Sequence, residues 1–174
     1  MFKYFYDSFF QINPPVFENV LAYIRQQIDR GRILVDLYSG VGTIGFNLAG
    51  QFEKVFSVES DERALVAAGE NRQNHQLENV TIMSGLAEKA DLRIILVAAD
   101  TLIVDPPRSG LHPKVTKAIL EACPECFIYV SCNPLTQAND LAVLKEKYQI
   151  RDWRLFDLYP QTPHVESVLV LERK

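Results

Sequence analysis

The residue in this sequence with the clearest chemical potential is Cys132, in the tetrapeptide Ser131-Cys132-Asn133-Pro134. The tetrapeptide lies between an apolar run, 127–130, and a predicted helix that Asn133 caps and Pro134 begins. Because a helix N-terminus favours negative charge, we expect the pKa of Cys132 to lie below the ordinary value of about 8.5. Most unpaired cysteines are small buried apolar residues, but this position makes Cys132 a candidate nucleophile.

A carboxylate that could act as a base is Glu166, which stands at the start of an alternating apolar strand. The strand follows a proline turn that contains Pro163. Partial burial at such a position raises the pKa of a carboxylic acid towards the range that suits a general base. The alternative is an exposed glutamate at a strand end, which is the commoner situation.

A rigid loop, Asp105-Pro106-Pro107-Arg108, follows another apolar strand. The two prolines fix the backbone and remove two N–H donors, so the flanking side chains have a set geometry. Asp105 could accept hydrogen bonds from a planar base or lie near a cofactor amine, and Arg108 offers a forked donor for a phosphate or a carbonyl. A rigid turn with an exposed salt bridge is an equally good interpretation of this loop taken alone.

Glycines at 40, 42 and 45 form a Gly-x-Gly-x-x-Gly pattern between a strand and a short helix. Glycines let the backbone turn tightly and approach a ligand, and the helix N-terminus supplies free N–H groups. Glu59, at the end of the next strand, could bind both hydroxyls of a ribose. NAD-dependent enzymes share this pattern, but Asp36 in the first strand disfavours a pyrophosphate. The alternative is a tight turn beside a surface glutamate.

Apolar runs and helical periodicities define the elements that must position these residues. Strands are predicted at 33–37, 54–58, 80–83, 101–104, 127–130, 153–158 and 167–171, and helices at 13–27, from the glycine loop to 50, at 61–74, 113–122 and 133–148. Residues 86–99 are helical in composition but β-branched in part. The alternation predicts an α/β, Rossmann-like fold with a mainly parallel seven-stranded sheet and an antiparallel C-terminal hairpin. Ligands bind beyond the carboxyl ends of such strands, where all four segments lie.

The composition indicates one globular domain, residues 1–174, with 48% apolar residues. No stretch reaches the roughly 18 apolar residues of a membrane helix, and a signal peptide is not recognisable. The three cysteines are few and odd in number, which argues against a disulfide framework. We therefore predict a reducing, cytoplasmic setting. Cys123 and Cys126 have no further ligands nearby, so we expect a helix end and a core cysteine rather than a metal or redox site.

In order along the chain, these motifs resemble those of the RNA uridine-C5 methyltransferases, the family that makes 5-methyluridine in tRNA and 23S ribosomal RNA. The resemblance covers nearly the whole chain, in segments 8–13, 36–42, 105–110, 131–134 and 156–166. Any one motif is ambiguous, whereas the ordered set is specific. The resemblance implies the methyltransferase variant of the doubly wound fold, with S-adenosylmethionine as cofactor and RNA as partner.

The resemblance also implies a role for each site residue. Cys132 matches the nucleophile, Glu166 the base, and Asp105 and Arg108 residues near the target uracil. The cofactor pocket is implied at Gln11, Tyr38, Thr43, Glu59 and Asp105, together with Gly40 of the glycine loop. In this chemistry a thiolate adds to C6 of uracil so that C5 can attack a methyl group, and a base then removes the C5 proton. No metal is required.

Family members carry an N-terminal RNA-binding barrel and a central domain, whereas this sequence begins directly at the catalytic domain. The net charge is −4, without the basic excess of most nucleic-acid binders. We therefore expect RNA affinity to depend on another domain or chain. Two alternatives stay open: a cofactor-binding remnant that serves as an interaction module, and an enzyme acting on cytosine C5 or an amino group. The retention of Cys132 and Glu166 favours an enzyme over a remnant, and uracil over an amino group, whose methylation needs no thiolate.

Overall fold

The computed structural model describes residues 13–88 and 92–174. Its strands are β1 (Gly31–Leu37), β2 (Phe52–Glu59), β3 (Val80–Ser84), β4 (Thr101–Val104), β5 (Cys126–Ser131), β6 (Tyr148–Phe156) and β7 (Glu166–Arg173). Its helices are α1 (Pro14–Gln27), α2 (Thr43–Leu48), α3 (Glu62–Asn74), α4 (Leu92–Val97), α5 (Pro113–Ala122) and α6 (Pro134–Leu144), and a short 3-10 helix (Ala49–Gln51) follows α2.

Within the described residues the strands form one seven-stranded sheet in the order β3-β2-β1-β4-β5-β7-β6. The pairs formed among β1 to β5 are parallel, and β7 is antiparallel to both β5 and β6. The predicted fold class is therefore confirmed. The strand order reverses between β1 and β4, and the crevice beyond their carboxyl ends is the usual ligand site of such sheets.

Two apolar layers cover the sheet because successive strand residues point to opposite faces. On β1, Leu34 belongs to the layer under α1, α2 and α3, whereas Val35 belongs to the layer under α4, α5 and α6. The central strands are mainly apolar, and all four residues of β4 are buried. Such continuous apolar runs are typical of parallel strands that are covered on both faces.

Two predicted boundaries are wrong. The last helix, α6, ends at Leu144 rather than near 148, and β6 begins at Tyr148 and ends at Phe156 rather than spanning 153–158. Tyr148 is 1% exposed, and its hydroxyl donates a hydrogen bond to the Pro124 carbonyl at 3.0 Å. Burial of this ring therefore outweighs the helical composition of the preceding residues. In the segment 86–99, residues 92–97 are the helix α4.

None of the described helices is long and apolar enough to cross a membrane. Cys123 ends α5 in a left-handed conformation, with φ of 51°, and Cys126 begins β5. The predicted helix end is thus confirmed at Cys123, whereas Cys126, predicted as a core cysteine, is only partly buried and packs against the apolar layer under α1, α2 and α3. Among residues 13–88 and 92–174, no group of histidine, cysteine and carboxylate side chains could hold a metal ion.

Candidate active site

One cavity of about 860 Å³ opens at the carboxyl ends of β1, β2, β4 and β5. Seven of the residues predicted for the site line it: Tyr38, Gly40, Thr43, Glu59, Asp105, Arg108 and Cys132. Glu166 is not among the lining residues. It is buried at the start of β7, next to Ser167, which pairs with Ser131 of β5. Gln11 lies outside the described residues. The cavity therefore brings the predicted cofactor loop and the predicted nucleophile together.

The glycine loop is shaped by a buried carboxylate in β1. Gly40 and Gly42 adopt φ values of 55° and 89°, which favour glycine. The Gly45 N–H donates to Asp36 Oδ2 at 2.9 Å, and a Cβ at position 45 would lie 2.6 Å from the same oxygen. Desolvation raises the pKa of Asp36 to about 8. Asp36 therefore sets how closely α2 approaches the sheet.

The carboxylate of Glu59 is fixed by three backbone N–H groups. Oε2 accepts from Gly40 at 2.8 Å, and Oε1 accepts from Asp61 at 2.8 Å and from Ser60. Asp61 in turn caps α3, since its side chain accepts from the Ala64 N–H at 2.7 Å, as predicted. These bonds join the glycine loop to the end of β2 and hold a negative charge at the cavity wall.

The loop after β4 presents an acid and a cation to the same space. Burial of its carboxyl group raises the pKa of Asp105 to about 7. Arg108 is exposed, and its Nη2 lies 3.4 Å from His164 Nδ1. The His164 ring also contacts Tyr159 edge to face, with ring centroids 6.2 Å apart. The turn before β7 thus contacts the Arg108 side chain through His164.

Cys132 differs from the prediction in one respect: its pKa is raised, not lowered. Burial is the main cause, followed by the carboxylates of Glu166 and Asp105, and the Arg108 guanidinium opposes them. The predicted cap of α6 is present, with Asn133 Oδ1 accepting from the Leu135 N–H at 3.3 Å. The partial charge of the helix end is thus outweighed by burial and by two acidic neighbours that sequence spacing could not place.

The burial and the raised pKa that were predicted for Glu166 are both present. It is 2% exposed, and burial, followed by the Asp105 carboxylate, raises its pKa to about 8. Its charge acts on the Cys132 thiol, so the two groups are near neighbours. A buried acid with a pKa near neutrality can take up or release a proton under physiological conditions.

Comparison with known proteins agrees with this geometry. The family model described as tRNA (uracil-5-)-methyltransferase matches residues 1–174. The chain belongs to this family. A crystal structure of the Pyrococcus abyssi tRNA (uracil-54, C5)-methyltransferase in complex with S-adenosyl-L-homocysteine superposes with a TM-score of 0.84 at 36% identity. The match covers 95% of this chain and 40% of that one.

Further relatives and solved structures are similar to this chain. An RNA methyltransferase of Enterococcus faecalis, itself uncharacterised, is 37% identical over 171 residues, which are 95% of this chain and 37% of the relative. The chain therefore spans little more than a third of the curated relatives it matches. The Streptococcus pneumoniae protein Sp1610, at 18% identity and a TM-score of 0.71, shares the fold.

Several residues of this uridine-C5 methyltransferase family site were not predicted. Ser60, Glu88 and His112 also line the cavity. His112 precedes α5 and accepts from the Lys114 N–H at 3.2 Å through its side chain, a role that Pro113 at the first helical position could have indicated. The other two have no local pattern, because their place follows from the order of the strands.

Proposed function

We propose that this chain is the catalytic part of an RNA methyltransferase that transfers a methyl group from S-adenosylmethionine to C5 of a uridine in tRNA or 23S ribosomal RNA. The observation that carries the proposal is the meeting of Cys132 with Glu166, Asp105 and Arg108. Three strand ends contribute these groups, and the three charged side chains all act on the Cys132 thiol. The family membership of the whole chain supports the same activity.

The residues of the cavity fit the proposed cofactor. Gly40 has no atom within 4 Å of the position of a Cβ, so its backbone faces open space. Glu59 presents a carboxylate suited to ribose hydroxyls, and the loop from Tyr38 to Thr43 supplies the backbone against which a nucleoside can pack. Leu86 offers an apolar contact. S-adenosylmethionine, when bound, supplies an electrophilic methyl group on a sulfonium. We retain Gln11 as a further contact on the family resemblance.

The first chemical step that we propose uses Cys132. C5 of uracil is a poor nucleophile because the ring is electron-poor. The Cys132 thiolate forms a bond to C6, and the electron pair of the C5–C6 double bond moves to the enolate formed by C5, C4 and O4. C5 then forms a bond to the methyl carbon, whose bond to sulfur breaks. Covalent catalysis divides one difficult step into two easier ones.

The second step uses Glu166. After methyl transfer C5 still carries a proton, which the Glu166 carboxylate accepts. The electron pair of that C–H bond restores the C5–C6 double bond, and the bond between C6 and the sulfur of Cys132 breaks to return the thiolate. Burial of Glu166, which raises its pKa to about 8, makes it a stronger base than an exposed glutamate.

Asp105 and Arg108 are proposed to hold the uracil. With a pKa of about 7, Asp105 can donate or accept a hydrogen bond at neutral pH. Arg108 can stabilise the negative charge that develops on the enolate oxygen. Neither the remnant hypothesis nor methylation of an amino group accounts for the thiol beside a buried acid, and we do not favour them. The three free cysteines are consistent with a cytoplasmic enzyme.

The test is transfer of a labelled methyl group to total RNA that lacks 5-methyluridine, followed by nucleoside analysis. We expect label in 5-methyluridine with the wild-type protein and none with Cys132→Ala. Cys123→Ala is the matched control, because Cys123 is also partly buried but lies at the end of α5, before β5 begins, whereas Cys132 follows the end of β5. Label in another nucleoside, or none despite cofactor binding, would contradict the proposal.

A further inference from the structure

Helix α6 presents a polar stripe to the loop that carries Arg108. The stripe consists of the cap residue Asn133 with Thr136 and Asp140, at spacings of three and four residues that place side chains on one helical face. Asn133 and Thr136 contact the backbone carbonyl of residue 108, and Asp140 accepts a hydrogen bond from the backbone of residue 111. Asp140 also lies so close to residue 110 that only glycine fits there. The stripe is therefore a surface built for this loop.

The first anchor is the Arg108 carbonyl oxygen. It accepts a hydrogen bond from Asn133 Nδ2 at 3.0 Å and lies 3.2 Å from the Thr136 hydroxyl, whose one proton is shared with the Asn133 carbonyl at 3.0 Å. The carbonyl belongs to the same residue as the guanidinium, so two side chains of α6 fix the backbone from which that cation extends.

The second anchor lies three residues on. Asp140 Oδ2 accepts from the Leu111 N–H at 2.9 Å and from the Tyr129 hydroxyl at 2.6 Å. Between the anchors, Gly110 has φ of 82°, and a Cβ there would lie 2.6 Å from Asp140 Oδ2. The loop is thus held at both ends and pressed against the helix in the middle.

The same helix end also carries the nucleophile. Asn133 follows Cys132 directly, and its N–H donates to Ser131 Oγ at 3.0 Å. Its side chain accepts from Leu135 N–H through Oδ1 while it donates to Arg108 through Nδ2. We propose that Asn133 and Thr136 are positioning residues that fix Arg108 against Cys132. This inference rests on the proposed function, and the sequence motifs did not predict this role for either residue.

A positioning role has a measurable electrostatic consequence. The groups that act on the Cys132 thiol are Glu166 from β7, Asp105 and Arg108 from the loop after β4, and Tyr159 from the turn before β7. Only Arg108 among these lowers the pKa of Cys132. If the Arg108 backbone loses an anchor, its cation spends less time near the thiol, and Cys132 becomes harder to ionise.

The test is the pH profile of Cys132 alkylation by iodoacetamide, resolved from Cys123 and Cys126 by fragment mass spectrometry. The variants are Thr136→Val, which removes the hydroxyl at constant shape, and Asn133→Ser, which keeps a good cap but cannot reach Arg108. Thr81→Val and Asn74→Ser are the matched controls, since both residues are exposed and far from the site. Arg108→Gln provides the shift expected when the cation is absent.

We expect the alkylation midpoint to rise by about half a pH unit in Thr136→Val and in Asn133→Ser, and not in the controls. In the Arg108→Gln background the same two substitutions should add nothing, because their effect passes through the cation. An unchanged midpoint in the single variants, or an equal shift without Arg108, would overturn the inference.

Methyl transfer gives a second readout. The turnover number should fall about tenfold in both variants, with the KM for the cofactor unchanged, because misplacing a substrate-positioning group costs rate more than cofactor binding. A changed KM with an unchanged turnover number would contradict the positioning role. Absence of transfer by the wild-type protein would defeat the proposed function alone, because alkylation of Cys132 needs neither RNA nor cofactor.

Discussion

Cys132 is a cysteine with acidic neighbours, and these neighbours determine its reactivity. Burial and two carboxylates keep its thiol protonated, and Arg108 is the cation that opposes them. A thiolate in such a place is scarce but strongly nucleophilic, since nucleophilicity rises with pKa. The site therefore depends on how Arg108 is held and on whether Glu166 and Asp105 are charged.

The proton-removal step should depend on pH through Glu166. Its carboxylate form is the base, and its pKa is raised to about 8, so lowering the pH through that value removes the active form. We predict that the rate at which the covalent RNA adduct decays falls about tenfold for each pH unit below about 7. This slope can be measured by rapid-quench analysis of the adduct from about pH 6 to about pH 9, a range that extends about one pH unit below 7 and about one above 8.

A flat profile would show that another group removes the proton. Glu172 offers a control, because it lies near the far end of β7 and carries no role in the site. Glu172→Gln should leave the decay rate and its pH dependence unchanged.

At the residue scale the sequence predicted the position of Cys132 at the ligand edge of the sheet and the direction of the Glu166 pKa. It did not predict the direction of the Cys132 pKa. A helix N-terminus can be recognised from Asn133 and Pro134, whereas the carboxylates that face the thiol come from residues 27 positions before it and 34 after it. Their approach depends on strand order, which local patterns do not contain.

The contact between β1 and α2 is the element-scale feature that shapes the cofactor loop. Gly45→Ala would place a methyl group 2.6 Å from Asp36 Oδ2, inside a well-packed region. We predict a loss of about 1–3 kcal/mol in the free energy of unfolding, together with weaker cofactor binding, measured by chemical denaturation and by titration.

The matched control is Gly69→Ala, in the middle of α3. A Cβ there meets nothing within 4 Å, so alanine should stabilise the helix by about 0.5–1 kcal/mol. Equal effects of the two substitutions would show that the approach of α2 to Asp36 is not tight.

Element boundaries were predictable where capping residues mark them. Asp61 and Asn133 begin helices as expected, and each accepts a hydrogen bond from a backbone N–H of its helix. The end of α6 was not predictable, because residues 145–147 are charged and helical in composition. Pairing of Tyr148 with Arg173 at the sheet edge decides that boundary, and this pairing joins residues distant in sequence.

For the whole molecule, three carboxylic acids whose pKa values are raised by desolvation are expected to control stability against pH. They are Asp36, Asp105 and Glu166, with pKa values of about 8, 7 and 8. Each is raised in the folded state, so each stabilises the fold below its unfolded pKa and loses that contribution as pH rises through the folded value. We predict that the free energy of unfolding falls between about pH 5 and about pH 8.

The variant Asp36→Asn isolates one of these contributions. Asparagine keeps an acceptor for the Gly45 N–H but has no proton to release. The slope of stability against pH should become less steep by up to about 1.4 kcal/mol per pH unit, measured by urea denaturation across that range. An unchanged slope would show that Asp36 does not titrate there.

The overall architecture was the most predictable level. Seven apolar runs and the proline turn before β7 indicated a parallel sheet with an antiparallel end, and the sheet has that form. The order of the strands follows from the doubly wound fold rather than from any single segment.

The central claim, a covalent bond between Cys132 and the target base, can be measured directly. Glu166→Gln, incubated with S-adenosylmethionine and unmodified RNA, then digested with nuclease, should yield a Cys132 peptide that carries a methylated uridine nucleotide. Wild-type protein should show this species only transiently, and Cys132→Ala should show none. A persistent adduct in Cys132→Ala, or no adduct in Glu166→Gln while the wild-type protein forms 5-methyluridine, would contradict the mechanism.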